Sequence, residues 1–207
     1  MQTIQKPAAQ WPIWLYIPNL LGYLRIILLF IIAYNAFTHP IVTASLYFSF
    51  AMIDTIDGTI ATWLQQRSKL GGMVDLVVDR VGIAVLSVVL AMLFPSLWGI
   101  FLVVIVLDMA SHYCHMFVAM YRGSSTHKSA KIKPGSLLAK YYDQKKRGLM
   151  LYCCFSHDMF LAMFYWYYFY PKTIVIAFGV IFLPGFLLKT WIHIAQIINA
   201  VSELQSE

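Results

Sequence analysis

Four aspartates, Asp54, Asp57, Asp75 and Asp79, stand inside stretches that are otherwise apolar and long enough to cross a membrane. One Asp at a bilayer centre costs about 2.5 to 3.5 kcal/mol on the insertion scale, so four left unpaired would cost roughly 10 to 14 kcal/mol. These stretches must therefore turn their carboxylates towards something that offsets the charge. Asp54, Asp57, Gly58 and Ala61 fall at i, i+3, i+4 and i+7, and Gly71, Asp75 and Asp79 at successive i+4 steps, so each helix carries one acidic stripe. Two such stripes joined by a short loop can face each other. Like charges at that distance repel unless cations intervene, and an all-oxygen donor set suits Mg²⁺ or Mn²⁺. Gly58, Ala61, Gly71 and Gly72 leave the same faces bare of bulk, which would admit a large phosphorylated ligand close to the backbone. Small residues also serve plain helix packing, with polar groups as glue, and that is the structural alternative.

Composition agrees with a membrane chain: of 207 residues 60% are hydrophobic and only 12% charged, with a mean hydropathy of +0.71. Apolar spans are expected at 12–37, 41–64, 71–94, 97–121, 148–169 and 173–198, which makes the predicted fold an all-α integral membrane bundle of six transmembrane helices in a single domain, 1–207. Pro40, Pro95 and Pro171 mark short connections, whereas 122–147 is long, polar and basic. Lys6, Arg67, Lys69 and eight basic residues between Arg122 and Arg147 fall on one side, against Lys172 alone on the other. The positive-inside rule then places both termini, and the loop between the acidic helices, in the cytosol. The net charge of +6 is concentrated in 122–147 beside the membrane, where Lys140, Lys145, Lys146 and Arg147 serve topology and anionic headgroups, and it does not indicate nucleic-acid binding. Cys114, Cys153 and Cys154 lie in expected spans and show neither a disulfide framework nor zinc spacing. The N-terminus lacks a short apolar region with a cleavage site, so the first span is expected to stay as an anchor.

Two metals held between opposed carboxylates, beside a glycine-lined cavity, would form a site for a pyrophosphate and for in-line displacement at phosphorus. The run Asp54-x-x-Asp57-Gly58-x-x-Ala61, then Gly71-x-x-x-Asp75-x-x-x-Asp79, resembles the signature of the CDP-alcohol phosphotransferases, which carries Arg directly after the Ala. Pro18-Asn19-Leu20 followed by Arg25 looks like that family's first-helix entry. Asp108-Met-Ala-Ser-His112-x-x-His115 and Arg122-Gly-Ser-x-x-His127-Lys128 look like its eukaryotic phosphatidylinositol synthase branch, a likeness covering roughly residues 12–165. The resemblance implies that Asp54, Asp57, Asp75 and Asp79 hold Mg²⁺ or Mn²⁺, two ions, with Asp79 also able to act as general base. It further implies that Asn19, Gly58, Ala61, Thr62, Ser68 and Gly71 line the CDP-diacylglycerol site, to which proximity alone adds Arg67. Asp108, His112, His115 and Arg122 are then candidates for the acceptor, myo-inositol. The reaction so implied yields phosphatidylinositol and CMP, in the endoplasmic reticulum membrane, with the site open to the cytosol.

Thr62 departs from the signature, because it replaces an Arg whose fixed charge and fork of donors suit phosphate. Either Arg67, five residues later, reaches the same phosphates, or the chain is a weakly active or inactive member of the family. The polar stripe of Asp108, Ser111, His112 and His115 is open to two uses, acceptor binding and internal bracing. A zinc site would need two ligands beyond His112 and His115 that the sequence does not plainly supply. His157 and Asp158 read as a packing contact, His193 as interfacial, the aromatic cluster at 164–170 as an interfacial belt, and Arg80 as a counter-charge to the acidic stripe. Arg25 would either snorkel to the interface or touch phosphate. Another acceptor alcohol, such as glycerol phosphate, serine or diacylglycerol, is a second functional reading. A divalent-cation transporter or a scaffold is a third, although no internal duplication of the transporter kind is visible. A homodimer is compatible with the chain, but no small-residue face singles out an interface.

Overall fold

The computed structural model describes residues 11–121, 132, 135–143 and 148–205, and they are all-helical, with no strand among them. A 3₁₀ turn, Ile13–Leu15, leads into α1 (Ile17–Asn35), followed by α2 (Pro40–Trp63) and α3 (Lys69–Leu93). A second 3₁₀ turn, Pro95–Leu97, precedes α4 (Trp98–Tyr121), and α5 (Leu137–Tyr141), α6 (Gly148–Phe169) and α7 (Thr173–Gln205) complete the order. Pro18 and Pro40 sit in the first turns of α1 and α2, where a missing N–H leaves no bond unmade.

Five of these helices are long and apolar enough to cross a membrane: α1, α3, α4 with its preceding turn, α6 and α7. They mark an integral membrane protein, and the exposure of Phe30, Tyr34, Tyr113 and Met120 on their surfaces is what lipid contact requires. The expected second span forms a helix of 24 residues, long enough to cross, yet it falls outside the five. Asp54 and Asp57, together with Thr43, Ser45, Ser49, Thr55, Thr59 and Thr62, dilute its apolar character. Boundaries also move. Residues 12–16 precede α1 rather than belong to it, and the last helix continues beyond 198 to Gln205. The long connection read as polar and basic contains α5, whose Leu138 and Tyr141 are buried against Cys153 and Ile192.

The chain divides into two compact units, Met1–Gly82 and Ile83–Glu207, with the boundary inside α3. In the first, α1 packs on α2. Glycine lets its helices approach closely: a Cβ at Gly22 would lie 2.6 Å from Val74 Cγ1, and one at Gly82 would lie 2.7 Å from the Phe50 ring. In the second, α7 packs on both α6 and α4. Pro184 interrupts the α7 hydrogen-bond ladder, and at the next residue, Gly185, any Cβ would overlap the Ser156 side chain of α6.

Candidate functional site

The turn between the acidic helices is fixed at both ends by local chemistry. Gln65 takes a left-handed conformation (φ 58°), its N–H donates to the Thr62 carbonyl at 3.2 Å, and the Gln66 N–H donates to the Ala61 carbonyl at 2.9 Å. This pair of bonds is the Schellman arrangement that stops a helix and reverses the chain. Three residues on, Ser68 Oγ accepts from the Gly71 N–H at 2.9 Å and so caps the start of α3. Gln66 Oε1 also accepts from the Ile17 N–H at 2.9 Å, which ties the turn to the first residue of α1.

With the turn fixed, the two acidic stripes converge, and ligating oxygens of Asp54, Asp57 and Asp75 lie within 4.8 Å of one another. Arg25 reaches them from α1. Its Nη1 lies 2.8 Å from Asp54 Oδ1, 3.4 Å from Asp75 Oδ1 and 3.7 Å from Asp57 Oδ2, and its Nη2 donates to Asp79 Oδ1 at 2.6 Å. The guanidinium also stands 4.5 Å over the Phe50 ring. Arg25 is 1% exposed, so the snorkelling alternative is overturned: four carboxylates hold it inside. Its position well within a span was the available signal, because a permanent charge there needs partners. Those partners lie on two other helices, which spacing along α1 does not reveal. Arg80 Nη2 lies 3.6 Å from the other oxygen of Asp79.

The arrangement fits a divalent cation. The donors are all carboxylate oxygens, the side chains remain 13% to 46% exposed, and fully ionised they outnumber the guanidinium charges of Arg25 and Arg80 by two. Hard ions such as Mg²⁺ or Mn²⁺ match that donor set.

Around the carboxylates the expected ligand-lining residues separate by environment. Gly58 and Gly72 face open space, with nothing within 4 Å of an added Cβ. Gly71 does not: a Cβ there would lie 2.7 Å from Asn19 Oδ1 and 3.2 Å from Ser68 Oγ, so its small size serves internal packing. Asn19 is buried, its Nδ2 donates to the Ile13 carbonyl at 2.6 Å, and its Oδ1 has no hydrogen-bond partner among the described residues. Ala61 is half-buried, whereas Thr62 and Arg67 are exposed and bonded to each other.

Asp108, Ser111, His112 and His115 lie in the second unit and are all buried. His112 Nδ1 donates to the Asp108 carbonyl at 2.8 Å, one turn back on α4. His193 of α7 joins them, with Nδ1 2.8 Å from Ser111 Oγ and Nε2 3.4 Å from Asp108 Oδ1. The interfacial reading of His193 is therefore corrected: it is 2% exposed and belongs to a buried polar network. Gln196, one turn further along α7, donates to Tyr142 Oη at 2.5 Å, and the Tyr142 ring stacks on His115 with centroids 5.2 Å apart. His193 also supplies a third metal-type ligand beside Asp108 and His112 that spacing could not show, since it comes from 81 residues away. Lys189, not singled out from the sequence, is buried in α7, donates to Tyr141 Oη at 2.5 Å and holds α5 in place. Arg122, His127 and Lys128 lie outside the described residues.

Residues 15–201 match the family model described as CDP-alcohol phosphatidyltransferase. Three similar proteins are each named CDP-diacylglycerol–inositol 3-phosphatidyltransferase. The one from Candida albicans is 34% identical over 96% of this chain and 85% of its own length. That from Saccharomyces cerevisiae is 31% identical over 96% and 89%. The human one is 30% identical over 93% and 92%. No solved structure matches the chain.

Proposed function

Because the chain belongs to the CDP-alcohol phosphatidyltransferase family, we propose that it transfers the phosphatidyl group of CDP-diacylglycerol to myo-inositol and releases CMP. The observation that carries the transfer chemistry is the convergence of four carboxylates from α2 and α3 around one buried guanidinium. The relatives named for inositol supply the acceptor.

Asp54, Asp57, Asp75 and Asp79 are the residues to hold Mg²⁺ or Mn²⁺, in a two-ion site. Bound there, the ions would supply Lewis acidity to the diphosphate and neutralise the departing CMP. Asp79 takes the proton from the inositol hydroxyl that attacks the phosphorus bearing diacylglycerol. Gly58 and Gly72 leave room for the diphosphate beside the helix backbone. Ser68 accepts through one lone pair and keeps its own O–H to offer to a ligand. Buried Asn19 Oδ1, without a donor among the described residues, supports a contact with a donor on the nucleotide. The proposal also includes α2 as a sixth span, one domain across both units, cytosolic termini and residence in the endoplasmic reticulum. The first three rest on the length of α2, the match over 15–201 and the basic residues collected on one side, and the last on the family alone.

The test is transfer of labelled myo-inositol into lipid by the purified chain with CDP-diacylglycerol and Mn²⁺ or Mg²⁺. Labelled phosphatidylinositol formed one-for-one with CMP is the expected result. CMP release with another alcohol but not with inositol would refute the acceptor assignment.

For Asp108, His112 and His115, burial, the contacts of Asp108 with His112 and His193, and the stacking of His115 on Tyr142 support bracing around α4 and α7. Asp108→Asn is expected to lower stability by about 1 to 3 kcal/mol, a shift of several degrees in Tm, while inositol KM stays within about twofold. A tenfold rise in inositol KM at unchanged Tm would assign the stripe to the acceptor instead.

A further inference from the structure

The family signature has Arg directly after its Ala, and this chain has Thr62 after Ala61, yet a guanidinium is hydrogen-bonded to that Thr62. Arg67 folds back over the end of α2, and its Nε and Nη2 donate to Thr62 Oγ1 at 3.0 and 2.7 Å. The Thr62 hydroxyl in turn donates to the Gly58 carbonyl at 2.8 Å. One O–H donor and two acceptor lone pairs are all a hydroxyl possesses, and here all three are used. Of the five N–H donors on a guanidinium, two bind Thr62 and, among the described residues, three remain for a ligand.

The return of Arg67 follows from the turn. Gln65 in its left-handed conformation reverses the chain, Gln66 is tied to Ile17, and Ser68 caps α3, so the backbone at 67 is fixed from both sides. Arg67 and Thr62 are exposed, and Gly58, on the adjoining turn of the same helix, faces open space.

We infer that Arg67 binds the diphosphate of the CDP-linked substrate in place of the signature Arg, and that Thr62 is its positioning residue. The inference rests on the phosphatidyltransferase reading. It turns the departure at 62 from a lesion into half of a two-residue replacement: the charge has moved five positions along the chain, and the hydroxyl left behind aims it. A held fork gives bidentate, always-charged recognition of phosphate oxygens, which a freely solvated side chain offers only after ordering.

Steady-state kinetics of the purified full-length chain, with CDP-diacylglycerol varied, tests this. Arg67→Ala is expected to raise KM for CDP-diacylglycerol by about 10- to 100-fold, the effect of losing a hydrogen bond from a charged group, with inositol KM and Tm unchanged. Thr62→Val should raise it about 3- to 10-fold while Thr62→Ser preserves it, a contrast that a merely structural role at 62 would not produce. Thr62→Arg placed in the Arg67→Ala background should bring KM back to within about threefold of the unaltered chain. Unchanged KM in Arg67→Ala, or no recovery in the double variant, overturns the inference while leaving the function standing. An unaltered chain that forms no phosphatidylinositol counts against the function instead. Calorimetric titration with CDP then still decides the inference, since equal CDP affinity with and without Arg67 refutes it and a tenfold loss supports it.

Discussion

Asp79→Asn is expected to abolish phosphatidylinositol formation, with kcat reduced by about 10³-fold or more. Asn keeps the size of the side chain, and its carbonyl can still accept from Arg25 Nη2, now 2.6 Å from Asp79 Oδ1, so the fold should persist. What disappears is a basic oxygen able to receive the inositol proton and one negative charge towards a cation. General-base catalysis alone contributes 10² to 10⁴-fold. Titrating Mn²⁺ against the variant separates the two losses: a base defect persists at any metal concentration, whereas a ligand defect recedes as metal rises. Residual activity within tenfold of the unaltered chain would remove Asp79 from the role of base.

The second large effect is on stability. Arg25→Met retains much of the side-chain bulk but takes the only α1 cation away from Asp54, Asp57, Asp75 and Asp79. Removing one side of a buried ion pair costs about 3 to 5 kcal/mol, and because these carboxylates are 13% to 46% exposed, water offsets part of that and the lower end applies. In chelator, Tm should fall by roughly 10 °C, and millimolar Mg²⁺ or Mn²⁺ should restore part of it by supplying the missing positive charge. Arg25→Lys should fall between, since a single ammonium cannot spread over four carboxylates as a planar fork does. A Tm for Arg25→Met equal to that of the unaltered chain in chelator would show that the pairing carries no stability.

The acidic stripes were legible in the sequence because their information is local. Asp54 and Asp57, and Asp75 and Asp79, share faces by helical spacing, and the short connection between them leaves facing one another as the simple outcome. Long apolar runs announced the helices for the same reason. Contacts between distant segments were less visible. Arg25 finds carboxylates 29 to 54 positions away, and His193 finds Ser111 82 positions away, so neither the guanidinium at the centre of the site nor the histidine that joins the buried network from α7 could be read from spacing. Gly71 looked bare because a sequence shows a missing side chain but not the Asn19 amide that occupies the space. The five residues of α5 were hidden by their basic surroundings, since their helix is secured by Lys189 and the Cys153–Ile192 cluster and not by a periodicity of their own.

Arg25 also bears on how such a site can be made at all. A cluster of four acids cannot wait unneutralised in lipid for its metal to arrive. With a permanent cation from the first helix already among them, and Arg80 beside Asp79, the carboxylates enter the bilayer with half of their charge offset. The same contact weakens metal binding, because every incoming ion competes for oxygens that Arg25 already holds. The chain thus exchanges tight retention of a cation for a smaller dependence on it during insertion, and occupancy of the site should follow the free divalent-ion concentration around it.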